Sequence, residues 1–178
     1  MVKNIVNMKY DPQFHRRRSI RLESYNYSQC GAYFINICTK NREPYFEKYL
    51  ELKLIVQKQW KLIPKRYQHV ELDEYIIMPD HFHGILFLQS LDWAGVGQVQ
   101  DLPLHAPTIG DIVGSFKSLC VHDWLKHIYK NKINEIGKFW QRNYYEHIIR
   151  DENELNRIRE YIINNPLKSH LPNTKNLY

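Results

Sequence analysis

The 178-residue chain predicts an α+β fold, with a four-stranded antiparallel sheet, two helices on one of its faces and a further helix after the last strand. Three observations carry that expectation. Short runs rich in aromatic and β-branched residues alternate with two long stretches whose apolar residues recur at helical spacing. Two of the strands are joined by a link so short that antiparallel pairing is the natural outcome. A last apolar stripe, opened by acidic residues, follows the final strand.

Taken in order, Gly31 to Thr39 reads as the first strand, with Tyr33, Phe34, Ile35 and Ile37 inside it. Asn36 shares a face there with Phe34 and Cys38, and in a central strand its amide needs a partner. Asn41-Arg42-Glu43-Pro44 is a turn. From about Phe46 to Ile63 the residues Tyr49, Leu50, Leu52, Leu54, Ile55, Val56, Trp60, Leu62 and Ile63 recur broadly at helical spacing, and Pro64 is expected to stop the helix. A second strand runs from about His69 to Met78, and Pro79-Asp80 turns directly into a third, His81 to Leu88. Residues 90–107, with glycines, prolines and little periodicity, read as a surface loop. Thr108 or Asp111 caps a second helix to about Lys130, with Ile112, Val113, Phe116, Leu119, Cys120, Trp124, Leu125 and Ile128 on its apolar side. A last strand lies near Tyr144–Arg150. Asp151-Glu152-Asn153-Glu154 resembles a capping box opening a helix from about Glu152 to Asn164, which Pro166 is expected to end. The order β-α-β-β-α-β is the split βαβ, ferredoxin-like plan. It leaves one sheet face for the extra C-terminal helix.

The length suits one domain with its own core. No apolar segment is long enough to span a bilayer and no signal-peptide pattern opens the chain, so a membrane role is not expected. Cys30, Cys38 and Cys120 are scattered without CxxC pairing, which fits a reduced, cytoplasmic protein and argues against a disulfide framework or a zinc knuckle. A net charge of +6 and 13 tyrosines suit a nucleic-acid surface, where cations meet phosphates and rings stack on bases. The run Arg16-Arg17-Arg18 within a polar stretch is either a solvated arm or one that tracks a phosphate backbone.

His81-Phe82-His83 puts two imidazoles on one face of a strand and a phenyl ring on the other. Such a pair is either two half-buried polar side chains or two ligands converging on a divalent metal with coordination positions left open. Tyr161 borders the Leu155–Ile158–Ile162 stripe of the last helix, with Asn165 on the same flank four residues on. Alone, each would be packing or a helix stop. Docked beside the histidine strand, they offer a nucleophile and a third ligand together.

Met78-Pro79-Asp80-His81-Phe82-His83 resembles the histidine–hydrophobe–histidine (HUH) motif of the single-tyrosine transposases. Trp140-Gln141-Arg142-Asn143-Tyr144-Tyr145-Glu146-His147-Ile148-Ile149-Arg150-Asp151, followed by Tyr161-Ile162-Ile163-Asn164-Asn165-Pro166, resembles the REP-associated tyrosine transposase branch. The resemblance covers roughly residues 28–171 and divides the chain into a basic arm (1–30), a single HUH-type catalytic domain (31–171) and a tail (172–178). It implies His81 and His83 as metal ligands, Asn165 as an additional ligand and Tyr161 as nucleophile. His147 matches a position that accompanies the site, its role open between DNA contact, orienting a group and packing. The implied chemistry is Mg²⁺- or Mn²⁺-dependent transesterification of single-stranded or hairpin DNA, serving DNA transposition and recombination through a 5′-phosphotyrosine link. The protein would act as a monomer or homodimer. Phosphate contacts are expected from Arg16, Arg17, Arg18, Lys138, Arg142 and Arg150, and stacking from Trp140 and Tyr144. Two other classes compete. A nucleic-acid-binding module without activity would share the fold, but its inner-strand aromatic signature is absent. A metal-dependent phosphohydrolase usually calls for more carboxylates or a pair of H-x-[ST] motifs.

Overall fold

A computed structural model of the chain describes residues 29–90 and 107–168. The Arg16–Arg18 run, nearly all of the expected 90–107 loop and the 172–178 tail lie outside those residues. The elements are β1 (Gly31–Cys38), α1 (Tyr45–Lys48), α2 (Leu50–Lys61), α3 (Ile63–Arg66), β2 (Val70–Ile77), β3 (His81–Leu88), α4 (Ile109–Lys130), β4 (Tyr145–Ile149) and α5 (Glu152–Lys168). The sheet runs β2-β3-β1-β4, with each neighbouring pair antiparallel. This is the α+β, ferredoxin-like arrangement expected from the sequence.

Strand alternation sorts the side chains into two layers. Tyr33, Ile35, Ile37, Phe82 and Leu86 point to the face covered by α2 and α4, where Trp60, Phe116 and Trp124 are fully buried among them. Phe34, Ile85 and Ile149 point the other way and meet Ile162 of α5, flanked by Leu155, Ile158 and Tyr161. Gly84 belongs to the first face. A Cβ there would stand 2.6 Å from Cζ2 of Trp60 and 2.9 Å from the ring of Phe82, so the indole lies where a side chain would be.

Three local features differ from the sequence expectation. The helix expected over 46–63 is three pieces, because Tyr49 takes an extended backbone (φ −128, ψ 98) and α2 closes at Leu62. Pro64 does not stop it but sits in the first turn of α3, where a missing N–H goes unmissed. Helix α5 runs on through Pro166 to Lys168 rather than ending at Asn164. So near its end, the proline costs the helix a single backbone bond. Other ends follow the local chemistry. Thr108 and Asp111 together make a reciprocal capping box on α4, and Asp151 Oδ1 accepts the Glu154 N–H at 2.8 Å at the start of α5. Among the described residues no helix is long and apolar enough to cross a membrane.

Candidate active site

The site is built where β3 and α5 face each other. With Phe82 fully buried between Trp60 and Phe116, His81 and His83 must point to the opposite face, their ring centroids 4.5 Å apart. The Asp80 carboxylate accepts from Nδ1 of His81 at 2.5 Å, which fixes the tautomer and leaves the Nε2 lone pair available. Burial lowers the pKa of His81, and Asp80 opposes the shift. Although burial works against it, the hydrogen bond from His81 and the nearby Arg42 hold the Asp80 carboxyl below its usual value. His83 is 2 % exposed and stacks on Phe34 at 5.2 Å. Burial, with His81 and Arg42 adding to it, pushes its pKa down to about 3, so the imidazole is neutral at physiological pH.

From α5, the Tyr161 hydroxyl lies 3.5 Å from Nε2 of His83, within the same chain. The Tyr161 ring meets those of His83 and Phe34 edge-on. One turn later Asn165 is buried, and its amide nitrogen has no hydrogen-bond partner among the described residues; the same is true of Nδ1 of His83. Three ties seat α5 on the sheet. The first is its Leu155–Ile158–Ile162 stripe. The second joins Arg159 Nε to Asp73 at 2.7 Å, beside the register shift between Leu72 and Tyr75. In the third, Glu154 accepts from His147 Nε2 and from the Arg150 N–H, both at 2.8 Å. His147 therefore sits at the start of α5, two turns from Tyr161.

These donors fit a cation. Two neutral imidazoles, one tautomer fixed by a carboxylate, are groups a divalent ion would satisfy, and Asn165 could add its carbonyl oxygen, its unpartnered nitrogen being a hydrogen-bond donor. Among the described residues no three His, Cys, Asp or Glu side chains converge as a complete cage. A cavity of about 450 Å³ opens beside them, lined by Phe34, Asn36, Cys38, Arg42, His83, Gln141, Asn143, Tyr144, Tyr145 and Tyr161. Its Gln141–Tyr144 wall is anchored by Lys117 of α4, whose ammonium donates to the carbonyls of Gln141 (2.8 Å) and Arg142 (3.0 Å). Burial lowers the Lys117 pKa to about 8.

The structure thus brings His81, His83 and Tyr161 to one place, with Asn165 buried one turn further along α5. Tyr144 lines the adjoining cavity, while Lys138, Arg142 and Arg150 are exposed. Trp140 is a correction. Its indole, expected to stack on bases, is 8 % exposed and packed among Phe46, Phe116 and Phe139, which leaves no face for a base. Sequence reasoning did not assign Asp80, Arg42, Gln141, Asn143 or Tyr145 to the site. Asn36 was signalled by its parity with Phe34, whereas Arg42 lies in a turn that carries no periodicity.

No family model matches the chain. An uncharacterized protein of Haemophilus influenzae is 41% identical over 180 residues, spanning 89% of this chain and 93% of that relative. Among solved structures, the REP-associated tyrosine transposase bound to a REP hairpin superposes with a TM-score of 0.53 at 18% identity, covering 84% of this chain and 75% of that one. At that identity the likeness is one of fold.

Proposed function

We propose, for a chain that belongs to one family with the Haemophilus influenzae protein and has the fold of the REP-associated tyrosine transposase, that it cleaves and rejoins single-stranded DNA through Tyr161. The observation that carries this reading is the 3.5 Å separation of the Tyr161 hydroxyl from His83, beside a cavity open to a strand. His81, His83 and Asn165 would hold a divalent cation, Mg²⁺ or Mn²⁺. Bound there, it supplies Lewis-acid polarisation of the scissile phosphate and offsets the charge that develops on it.

The chain's own residues do the rest. Two neutral imidazoles and an amide add no negative charge, so an anionic phosphate meets no repulsion from the ligand set. Asp80 holds His81 in the tautomer a ligand needs. The phenol oxygen of Tyr161 attacks phosphorus, the P–O3′ bond breaks, and the departing 3′ oxygen ends as a hydroxyl while the phenol loses its proton. The 5′-phosphate remains esterified to the tyrosine, so a 3′-hydroxyl can reverse the attack and rejoin the strand. Arg142, Lys138 and Arg150, all exposed, would meet flanking phosphates, and Tyr144, which lines the cavity, would stack on a base. The substrate class is hairpin-forming, palindromic single-stranded DNA, and the biological outcome is transposition.

The test uses a 3′-labelled hairpin oligonucleotide with Mg²⁺ or Mn²⁺, read as a denaturation-resistant protein–DNA adduct. The wild-type chain is expected to form it, EDTA to abolish it, and Tyr161→Phe to lose it entirely while retaining DNA binding. An adduct that persists in Tyr161→Phe overturns the assignment and turns attention to Tyr144 and Tyr145. Binding without any adduct favours a module without activity, and released fragments without attachment favour a phosphohydrolase.

A further inference from the structure

We propose that Arg42 is a phosphate clamp, gripping one backbone phosphate of the strand that occupies the cavity, and that Asp80 is shared between this clamp and His81. The inference rests on the functional reading above and adds a substrate-contacting residue to it.

The first observation is conformational. Asn41 and Arg42 are consecutive non-glycine residues in the left-handed region, with φ of 56° and 57°. Asn adopts that region readily but Arg seldom does, and Arg42 persists there because its surroundings hold it. Those surroundings are visible. Fully buried Thr39 directs its hydroxyl at the carbonyls of Glu43 (2.6 Å) and Asp80 (2.9 Å), and its N–H bonds the same Asp80 carbonyl. The Phe46 N–H bonds the Pro79 carbonyl at 3.0 Å. The strained turn is therefore fastened to the segment that presents His81 and His83.

The second observation is what the strain delivers. Arg42 lines the same cavity as His83 and Tyr161. Among the described residues its guanidinium makes a single hydrogen bond, to Asp80 Oδ2 at 3.4 Å, and the side chain is 57% exposed. An exposed pair at that separation contributes little and does not account for two left-handed residues. A planar fork with most of its N–H groups unengaged, at the mouth of a cavity beside a nucleophile, matches a bidentate phosphate partner. Asp80 divides its oxygens, Oδ1 to His81 and Oδ2 to Arg42, so a phosphate drawn to Arg42 arrives next to the histidine pair.

The experiment combines two substitutions with a neutral-phosphate scan. Arg42→Ala is expected to slow adduct formation at least about tenfold, and Arg42→Lys to recover part of that, since it keeps the charge and loses the fork. The salt dependence of oligonucleotide binding, as log K against log [salt], should flatten by about 0.7 in Arg42→Ala. Hairpins carrying one methylphosphonate at successive positions around the cut then locate the contact. At one position wild type should fall to the Arg42→Ala rate, while Arg42→Ala loses nothing further there. Equal rates for wild type and Arg42→Ala, or no position at which the two converge, overturn the proposal. Thermal melts check folding, and should Arg42→Ala melt early, Arg42→Lys carries the same comparison. If the wild-type chain forms no adduct, the transesterase reading fails by itself. The scan read as equilibrium binding still decides Arg42, and the absence of a converging position then overturns the clamp.

Discussion

The two faces of the sheet are packed differently. Under α2 and α4 the layer is a wide cluster of aromatic and aliphatic side chains, in which Trp60, Phe82, Phe116 and Trp124 reach complete burial and the indole nitrogens of Trp60, Trp124 and Trp140 have no hydrogen-bond partner among the described residues. Under α5 the apolar layer is thin, four buried residues in all, and it gives way to His83 and Asn165, which are buried with ring or amide nitrogens that have no partner among the described residues. A single strand serves both. Phe82 belongs to the first face and its immediate neighbours His81 and His83 to the second, so the packing that stabilises the fold also aims the imidazoles. The first face supplies stability. The second sets a buried imidazole beside the Tyr161 hydroxyl and buries an amide one turn further along α5.

The largest test of that contrast is Phe82→Ala. Removing a fully buried ring between Trp60 and Phe116 should lower unfolding free energy by about 3–5 kcal/mol, measured by urea titration. A loss below 1 kcal/mol would mean that this layer is not what holds β3 in place.

Next in size is Asp80→Asn. The amide keeps the shape but no longer presents a carboxylate to Nδ1 of His81, so Mn²⁺ affinity by calorimetry should fall about 10–100-fold. The melting temperature should stay close to wild type, because the residue is at the edge of the site rather than in either core. Unchanged affinity would show that His81 is oriented without Asp80.

How far the sequence led differs along the same line. The period-two placement of His81, Phe82 and His83 was legible because alternation is a local geometric fact, and so was the Leu155–Ile158–Ile162 stripe with Tyr161 and Asn165 on its flank. What escaped depends on tertiary contact. The breaks at Tyr49 and Leu62 fall among residues whose apolar spacing continues across them. The register shift in β2 lies at Asp73-Glu74, where two polar residues interrupt the alternation without saying which way the strand bends. Trp140 reads the same whether it stacks on a base or on Phe46, and only the packing of Phe116 and Phe139 around it decides. Arg42 reaches the site through two left-handed residues, of which Asn41 suits that conformation and Arg42 does not, so the local sequence does not announce the turn.

A third test should show the opposite sign to the first. Asn165→Leu replaces a buried amide whose nitrogen has no partner with an apolar group of similar size, so stability should rise by about 1 kcal/mol. The same variant is expected to lose divalent-cation-dependent adduct formation. A destabilised Asn165→Leu would place this amide with the structural groups and remove the distinction between the faces at α5.

The smallest effect concerns the tie at the start of α5. The Arg150 N–H and then His147 hold the Glu154 carboxyl below its ordinary pKa. A carboxylate with a lowered folded-state value binds fewer protons folded than unfolded, so stability rises with pH across the window between the two. Its contribution is complete above the unfolded-state value near pH 4.5 and is lost as pH falls through the lowered folded value. Glu154→Gln should therefore flatten the acid limb of a stability–pH profile while leaving the profile above pH 6 parallel to wild type. Because His147 donates to this carboxylate from β4, His147→Ala should flatten the same limb in part and leave Mn²⁺ affinity unchanged. A weakened metal site in His147→Ala would instead assign this histidine to the catalytic face, and the division between holding α5 and loading the site would fall with it.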